Sequence, residues 1–296
     1  MQTTGRNIEI AANYIKEGKL VAFPTETVYG LGANALDPLA VAKIFEMKER
    51  PSFDPLIVHI AEKADIDKLT SKKDERIYQI TDRFWPGPLT LILPKSEIVP
   101  DIVTAGLPTL GIRMPDNEMA LELIRKAEYP IAAPSANKFG RISPTNADHV
   151  KKQLPGVDYI LDGGNTKVGI ESTIIAITGK GFQILRNGII TREELEQILP
   201  YDETSHPEST VAPGMLSIID KSKAGYLSFS GSGEKGYKRV IRLTKTSDLK
   251  EYAVNLFAAM HALEESDVET IVAEPVPETG IGVAIMDRLR KAAWRE

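Results

Sequence analysis

With 296 residues, 42% hydrophobic and 26% charged, the sequence is ordinary globular material, long enough for one large domain with an appendage or for two domains. It has no cysteine, which excludes disulfides, thiolate zinc sites and cysteine nucleophiles, and its formal net charge of -5 argues against a broadly basic nucleic-acid-binding surface. No apolar run approaches the roughly 20 residues of a membrane-spanning helix, and Met1–Arg6 lacks the basic start and apolar block of a secretory signal, so the expectation is a cytoplasmic protein with no membrane partner.

In chain order, an amphipathic helix is expected from Ile8 to about Glu17, stopped by Gly18. Leu20–Phe23 reads as a short buried strand ended by Pro24, which cannot donate to a sheet ladder. Thr25 to Gly32 then reads as one Gly-rich turn, with Gly30 and Gly32 supplying backbone freedom and close approach to a ligand. A helix follows from Pro38, with Lys48 and Arg50 at its end, where cations also offset the helix dipole. Leu56–Ile60, Leu89–Leu93, Leu110–Met114 and Ile131–Ala133 are expected as strands, and Ala64–Leu69, Glu75–Phe84 and Met119–Ala127 as helices. Tyr159–Leu161, Ser172–Ala176 and Phe182–Leu185 complete the sheet candidates. Interleaved strands and helices predict an α/β fold with a mixed open sheet. A polar stretch from Asp202 to Ser209 then introduces a smaller α/β unit. Its strands are expected at Gly225–Phe229, Arg239–Leu243 and Thr270–Ala273, and its helices at Leu249–Leu263 and Val283–Ala293. Ser230–Gly233 reads there as a flexible loop. The expected boundaries are 1–203 for the catalytic domain, 204–223 for a linker and 224–296 for the small domain.

Polar residues recur at the strand ends of the first unit: Thr25, His59, Thr109, Arg113, Ser135, Asn137, Ser172 and Arg186. In open α/β sheets ligands bind outside strand ends, so these residues are expected to share a cleft. Single hydroxyl and amide residues also populate turns and caps. Arg113 and Arg186 are different, because an arginine in or ending a buried strand needs an anion. The sequence offers no evident matching acids, which points to a bound phosphate or carboxylate. There is no Gly-x-x-x-x-Gly-Lys-Ser/Thr phosphate loop and no Gly-x-Ser-x-Gly elbow, and the histidines are scattered.

Five segments carry a resemblance: Pro24–Gly32, Lys48–Pro51, Pro55–His59, Trp85–Thr90 and Pro134–Asn137. In this order they resemble the YrdC family, over about residues 8–200. Tyr252–Phe257 and Met286–Leu289 resemble the C-terminal domain of its two-domain members. The resemblance implies a nucleotidyltransferase that joins L-threonine, bicarbonate or CO2, and ATP into L-threonylcarbamoyladenylate, with release of pyrophosphate. A downstream threonylcarbamoyl-transferase complex would use that product on tRNA. By the same resemblance Lys48, Arg50, Ser135 and Asn137 are the catalytic set. Lys48, Ser52, Thr109, Ser135, Ser143 and Arg186 are nucleotide contacts, and Thr25, His59, Arg113, Ala133 and Ser172 form the threonine site. Mg2+ is expected through the ATP phosphates and no metal ligand through the protein.

The sequence departs from the longer family members in its linker. Pro213–Gly214–Met215 is followed by Leu216–Lys221 where those members usually carry His-Tyr-Ala-Pro. Residues 1 to about 203 are therefore expected to hold every group the chemistry needs. The alternative function is a double-stranded RNA or tRNA-binding module without nucleotidyltransferase activity, and weak contact with RNA is compatible with either reading.

Overall fold

The computed structural model describes residues 3–50, 54–71, 74–204 and 219–293. Ser52 and Pro213–Met215 lie outside the described residues. The chain begins with β1 (Thr3–Gly5), α1 (Ile8–Lys16), β2 (Val21–Pro24), β3 (Tyr29–Asn34) and α2 (Pro38–Lys48). It continues with β4 (Ile57–His59), α3 (Ile66–Leu69), α4 (Glu75–Phe84), β5 (Leu89–Pro94), α5 (Asp101–Thr104), β6 (Thr109–Arg113) and α6 (Glu118–Ala127). Next come β7 (Ile131–Ala132), α7 (Ala147–Gln153), β8 (Tyr159–Leu161), β9 (Thr173–Ile177), β10 (Phe182–Arg186) and α8 (Arg192–Glu196). The last stretch holds β11 (Ala224–Ser228), β12 (Arg239–Arg242), α9 (Leu249–Glu264), β13 (Thr270–Ala273) and α10 (Ile281–Ala293).

The first ten strands form one mixed sheet in the order β1-β8-β2-β3-β7-β4-β6-β5-β9-β10. Parallel pairs such as β4–β6 and β5–β9 alternate with antiparallel ones such as β2–β3 and β5–β6. The three C-terminal strands form a parallel sheet in the order β12-β11-β13. The helices begin where the sequence supplies caps. Asn7 accepts from the Ile10 amide, and Asp37 accepts from Leu39 and Ala40 with Pro38 as the first helical residue.

One expected turn is mostly strand. The chain reverses over Thr25–Val28 alone, where Thr25 Oγ1 donates to the Val28 carbonyl at 2.6 Å and accepts from the Thr27 and Val28 amides. Gly30 and Gly32 then sit in β3, paired with Phe23 and Val21, and neither has a positive φ. They are needed for room and not for conformation. A Cβ on Gly32 would lie 2.7 Å from Ile131 Cγ2 and 2.8 Å from the Phe23 ring. The Ser230–Gly233 loop is held and not free: the Glu274 carboxylate accepts from the amides of Phe229 and Ser230 and from the Ser232 hydroxyl.

The main core surrounds the large sheet, with Phe23, Ile44, Leu91, Ile112 and Ile160 fully buried. A second apolar cluster centres on Tyr252, Leu256 and Ile285 of α9 and α10. Val28, from the turn after β2, and Ile170, just before β9, belong to this second cluster. The two units therefore share packing beside the Thr25–Val28 turn.

Candidate active site

Strand register builds a cleft floor from alternate residues. Paired positions present their side chains to the same sheet face. His59 pairs with Arg113, and Ile57 with Gly111, across β4 and β6. Ile92 pairs with Gly111 across β5 and β6, and Ile174 pairs with Thr90 and Arg186. The result is a row of His59 and Arg113, then Thr90, Ile174 and Arg186, polar except for Ile174, beside an apolar row, Ile57–Gly111–Ile92. Both rows underlie a cleft of about 250 Å³.

One wall is the Thr25–Val28 turn. Thr25 and Thr27 hydroxyl oxygens lie 2.8 Å apart, and Arg113 Nη2 donates to Thr27 Oγ1 at 2.9 Å. The same nitrogen lies 2.7 Å from Glu26 Oε2, in a pair whose side chains are 5% and 3% exposed. Arg113 Nε is buried without a partner. Arg113 thus has an acid within its own chain, contrary to the expectation that only a ligand supplies one. The acid escapes a sequence reading because it arrives from the turn and not from a neighbouring strand end. His59 is pushed down to about 3 by burial and then by Arg113, so its ring is neutral, and its Nδ1 is buried without a partner.

The opposite wall is the start of β9 and the end of β10. Arg186 donates from Nε to the Ser172 carbonyl at 2.9 Å and from Nη2 to Ser172 Oγ at 2.8 Å. Ser172 Oγ also lies 2.8 Å from Thr90 Oγ1. Burial lowers the Arg186 guanidinium to about 10, against the attraction of nearby Glu171. Glu171 is the second acid that the sequence reading missed, and it accepts from Ser143 Oγ at 2.8 Å and from Arg288 Nε at 2.5 Å.

The end of α2 closes the third side. Arg50 lines the cleft and pairs with Asp54 at 2.7 Å. Lys48 is 1% exposed, and its Nζ donates to the Ser135 carbonyl at 2.5 Å and to the Asn137 carbonyl. Burial first, then Arg50, lowers this lysine to about 7. Lys48 therefore stands behind the Ser135–Asn137 loop and pins it from below. Asn137 faces the same layer, donating to the Lys138 and Arg141 carbonyls while its Oδ1 is buried without a partner.

Of the residues singled out in the sequence, the cleft brings together Thr25, Arg50, His59, Arg113, Ala133, Ser135, Ser172 and Arg186. Lys48, Asn137 and Ser143 lie in the layer behind it. Thr109 is half-buried on the Arg113 face of β6, two residues beyond Gly111 along the floor. Thr27, Glu26, Asp54 and Glu171 are contributors that the reading did not name. Thr27 and Glu26 lie inside the quoted Pro24–Gly32 segment, and Glu171 directly precedes Ser172, so position was the available signal. Among the described residues no group of three or more histidine or acidic side chains could hold a metal ion, and no helix is long and apolar enough to cross a membrane. A more open cleft of about 510 Å³ is lined by Lys138, Arg141, Lys152, His149, His261 and Glu265 and holds none of the singled-out residues.

A mixed sheet with an arginine-rich, hydroxyl-lined cleft at its strand ends defines an α/β enzyme of the YrdC type. The chain belongs to the Sua5, YciO and YrdC family, whose model, described as telomere recombination, matches residues 13–188, and a threonylcarbamoyl-AMP synthase C-terminal domain model matches residues 217–294. It is 43% identical to threonylcarbamoyl-AMP synthase of Pyrococcus abyssi, over 97% of this chain and 94% of that one. The Bacillus subtilis threonylcarbamoyl-AMP synthase is 41% identical, over 99% and 94% of the two chains. The crystal structure of P. abyssi Sua5 complexed with L-threonine superimposes with a TM-score of 0.85 at 40% identity, covering 99% of this chain and 97% of that chain.

Proposed function

We propose that this cleft makes L-threonylcarbamoyladenylate from L-threonine, bicarbonate or CO2, and ATP, the first step of N6-threonylcarbamoyladenosine formation in tRNA. The observation that carries the reading is Arg113: a buried guanidinium with an unpartnered Nε, set between the Thr25–Thr27 hydroxyls and a neutral histidine. That arrangement suits a small hydroxylated amino acid, whose carboxylate would meet the unpartnered Nε of a guanidinium that Glu26 and Thr27 already hold through Nη2. A close relative that was crystallised with L-threonine supports the same choice.

The chemistry needs no protein nucleophile. The threonine nitrogen attacks the carbon of CO2 and loses a proton, giving a carbamate. A carbamate oxygen then attacks the α-phosphorus, and the bond from that phosphorus to the pyrophosphate oxygen breaks. Arg50 and Arg186 flank the space where the phosphates would lie and stabilise the charge that moves onto pyrophosphate. Ser135 lines the cleft between them and Lys48, whose grip on its carbonyl fixes that loop. The apolar Ile57–Gly111–Ile92 row offers a flat surface for the adenine, with Thr109 one row further along β6. Mg2+ would enter on the ATP phosphates and share their charge.

The test is product formation with single omissions. Threonylcarbamoyl-AMP and pyrophosphate should appear only when threonine, bicarbonate and ATP are all present. A chain that retards double-stranded RNA but forms no AMP-linked product under any combination would establish the RNA-binding alternative instead.

A further inference from the structure

Arg288 belongs to α10 in the C-terminal unit, yet it is 7% exposed and reaches the large sheet. Its Nε donates to Glu171 Oε2 at 2.5 Å, and its Nη2 donates to the Asn187 carbonyl at 2.9 Å. Its remaining terminal nitrogen donates to Asp287. Glu171 and Asn187 are the chain neighbours of Ser172 and Arg186, the two cleft residues that are bonded to each other. One guanidinium therefore grips both segments that carry that pair. Through Glu171 it also fixes Ser143, whose hydroxyl takes the other carboxylate oxygen.

Building on the reading of the cleft as an ATP and threonine site, we propose that Arg288 is a positioning residue for its nucleotide half. In this arrangement the C-terminal unit is a working part of the active site. Glu171 has Arg288 as its bonded counter-charge and Ser143 on its other oxygen, so Arg186 stays on Ser172 with its charge available to a phosphate. Burial pushes the Glu171 carboxyl up, but Arg288 and then Arg186 outweigh it and hold it at about 2. Without Arg288, the other cation acting on that carboxylate is Arg186. Glu171 would draw Arg186 off Ser172 and cancel the charge that the nucleotide needs. The threonine half has separate anchors, Thr90 for Ser172 and Thr27 with Glu26 for Arg113.

The experiment compares KM for ATP with KM for threonine in folded Arg288 variants, with ATP affinity from calorimetry alongside. Arg288→Met should raise KM for ATP about 10-fold or more and KM for threonine less than about 3-fold. Glu171→Gln added to Arg288→Met removes the stranded charge and should restore a good part of the ATP affinity. Arg288→Lys keeps the charge but spans only one of the two acceptors, so its KM for ATP should lie between wild type and Arg288→Met. If Arg288→Met does not fold, Arg288→Lys decides by the same comparison. Equal changes in both KM values, an ATP affinity unchanged within about 2-fold, or no recovery in the double variant would leave Arg288 as a docking contact only and overturn the proposal. If the unsubstituted chain binds ATP but makes no product, the synthase reading falls, while the calorimetric comparison still decides the role of Arg288.

Discussion

Lys48 shows how a catalytic-looking cation can be put to different use by its surroundings. A neutral amine has two N–H groups, matching the two carbonyls of Ser135 and Asn137 that it meets. With its folded value lowered from 10.5 to about 7, the side chain is mostly neutral at pH 8. The unfolded chain then binds more protons than the folded one between about pH 7 and 10.5, so the stability linked to this group rises with pH across that window. A triphosphate placed over the Ser135 loop would restore the charge. ATP binding at pH 8 should therefore take up on the order of one proton, and almost none at pH 6. Calorimetry in two buffers of different ionisation enthalpy measures this, and an uptake that persists in Lys48→Met would assign it elsewhere. At this scale the sequence was informative at strand ends: side chains expected to share a cleft, from Thr25 to Ser172, do line one. It was uninformative about Glu26 and Glu171, because strand register and a turn bring those acids to their arginines from distant parts of the chain.

Among elements, Glu75–Phe84 and Tyr159–Leu161 have the bounds that their sequence pattern predicts, the first from its period and the second from an unbroken apolar run. Missed were β1, α5, α7 and α8, pieces too short for a period to emerge and fixed by their neighbours, as β1 is by pairing with β8. The instructive error is β3, where two glycines imitate a loop. Their purpose is closeness: β3 packs against Phe23 on β2 and against Ile131 on β7. Gly32→Ala should overpack that contact and destabilise the fold by about 1–3 kcal/mol. Gly111→Ala is the control, since its Cβ would meet nothing nearer than 3.4 Å. That variant should be as stable as wild type or up to about 1 kcal/mol more stable in denaturant unfolding. Equal midpoints for the two variants would mean that β3 can shift away from β2, and would remove the packing account of its glycines.

For the molecule as a whole, the question is whether the first unit suffices. Read from the sequence, residues 1–203 hold every group for chemistry, and among the described residues the groups that line the cleft come from that span. The support beneath them does not. Val28 closes the threonine-side turn and is packed in the C-terminal cluster, as is Ile170 beside Glu171. His261 of α9 lies 3.2 Å from the Ser143 carbonyl, and Arg288 holds Glu171. Ending the chain at Glu203 would expose Val28 and Ile170, at up to about 3–6 kcal/mol for the two side chains. It would also leave the Glu171 carboxylate without its main counter-charge. The truncated chain should melt roughly 10 °C below the full one. It should lose affinity for both substrates, because the turn that carries Thr25 and Thr27 loosens along with the Arg186 segment. Arg288→Met, by contrast, should weaken ATP alone, so comparing the two variants separates loss of one tether from loss of the shared core. Melting curves and calorimetric titrations with ATP and threonine decide the matter. A truncated chain with full-length melting temperature and unchanged affinities would show that the large sheet holds its cleft unaided.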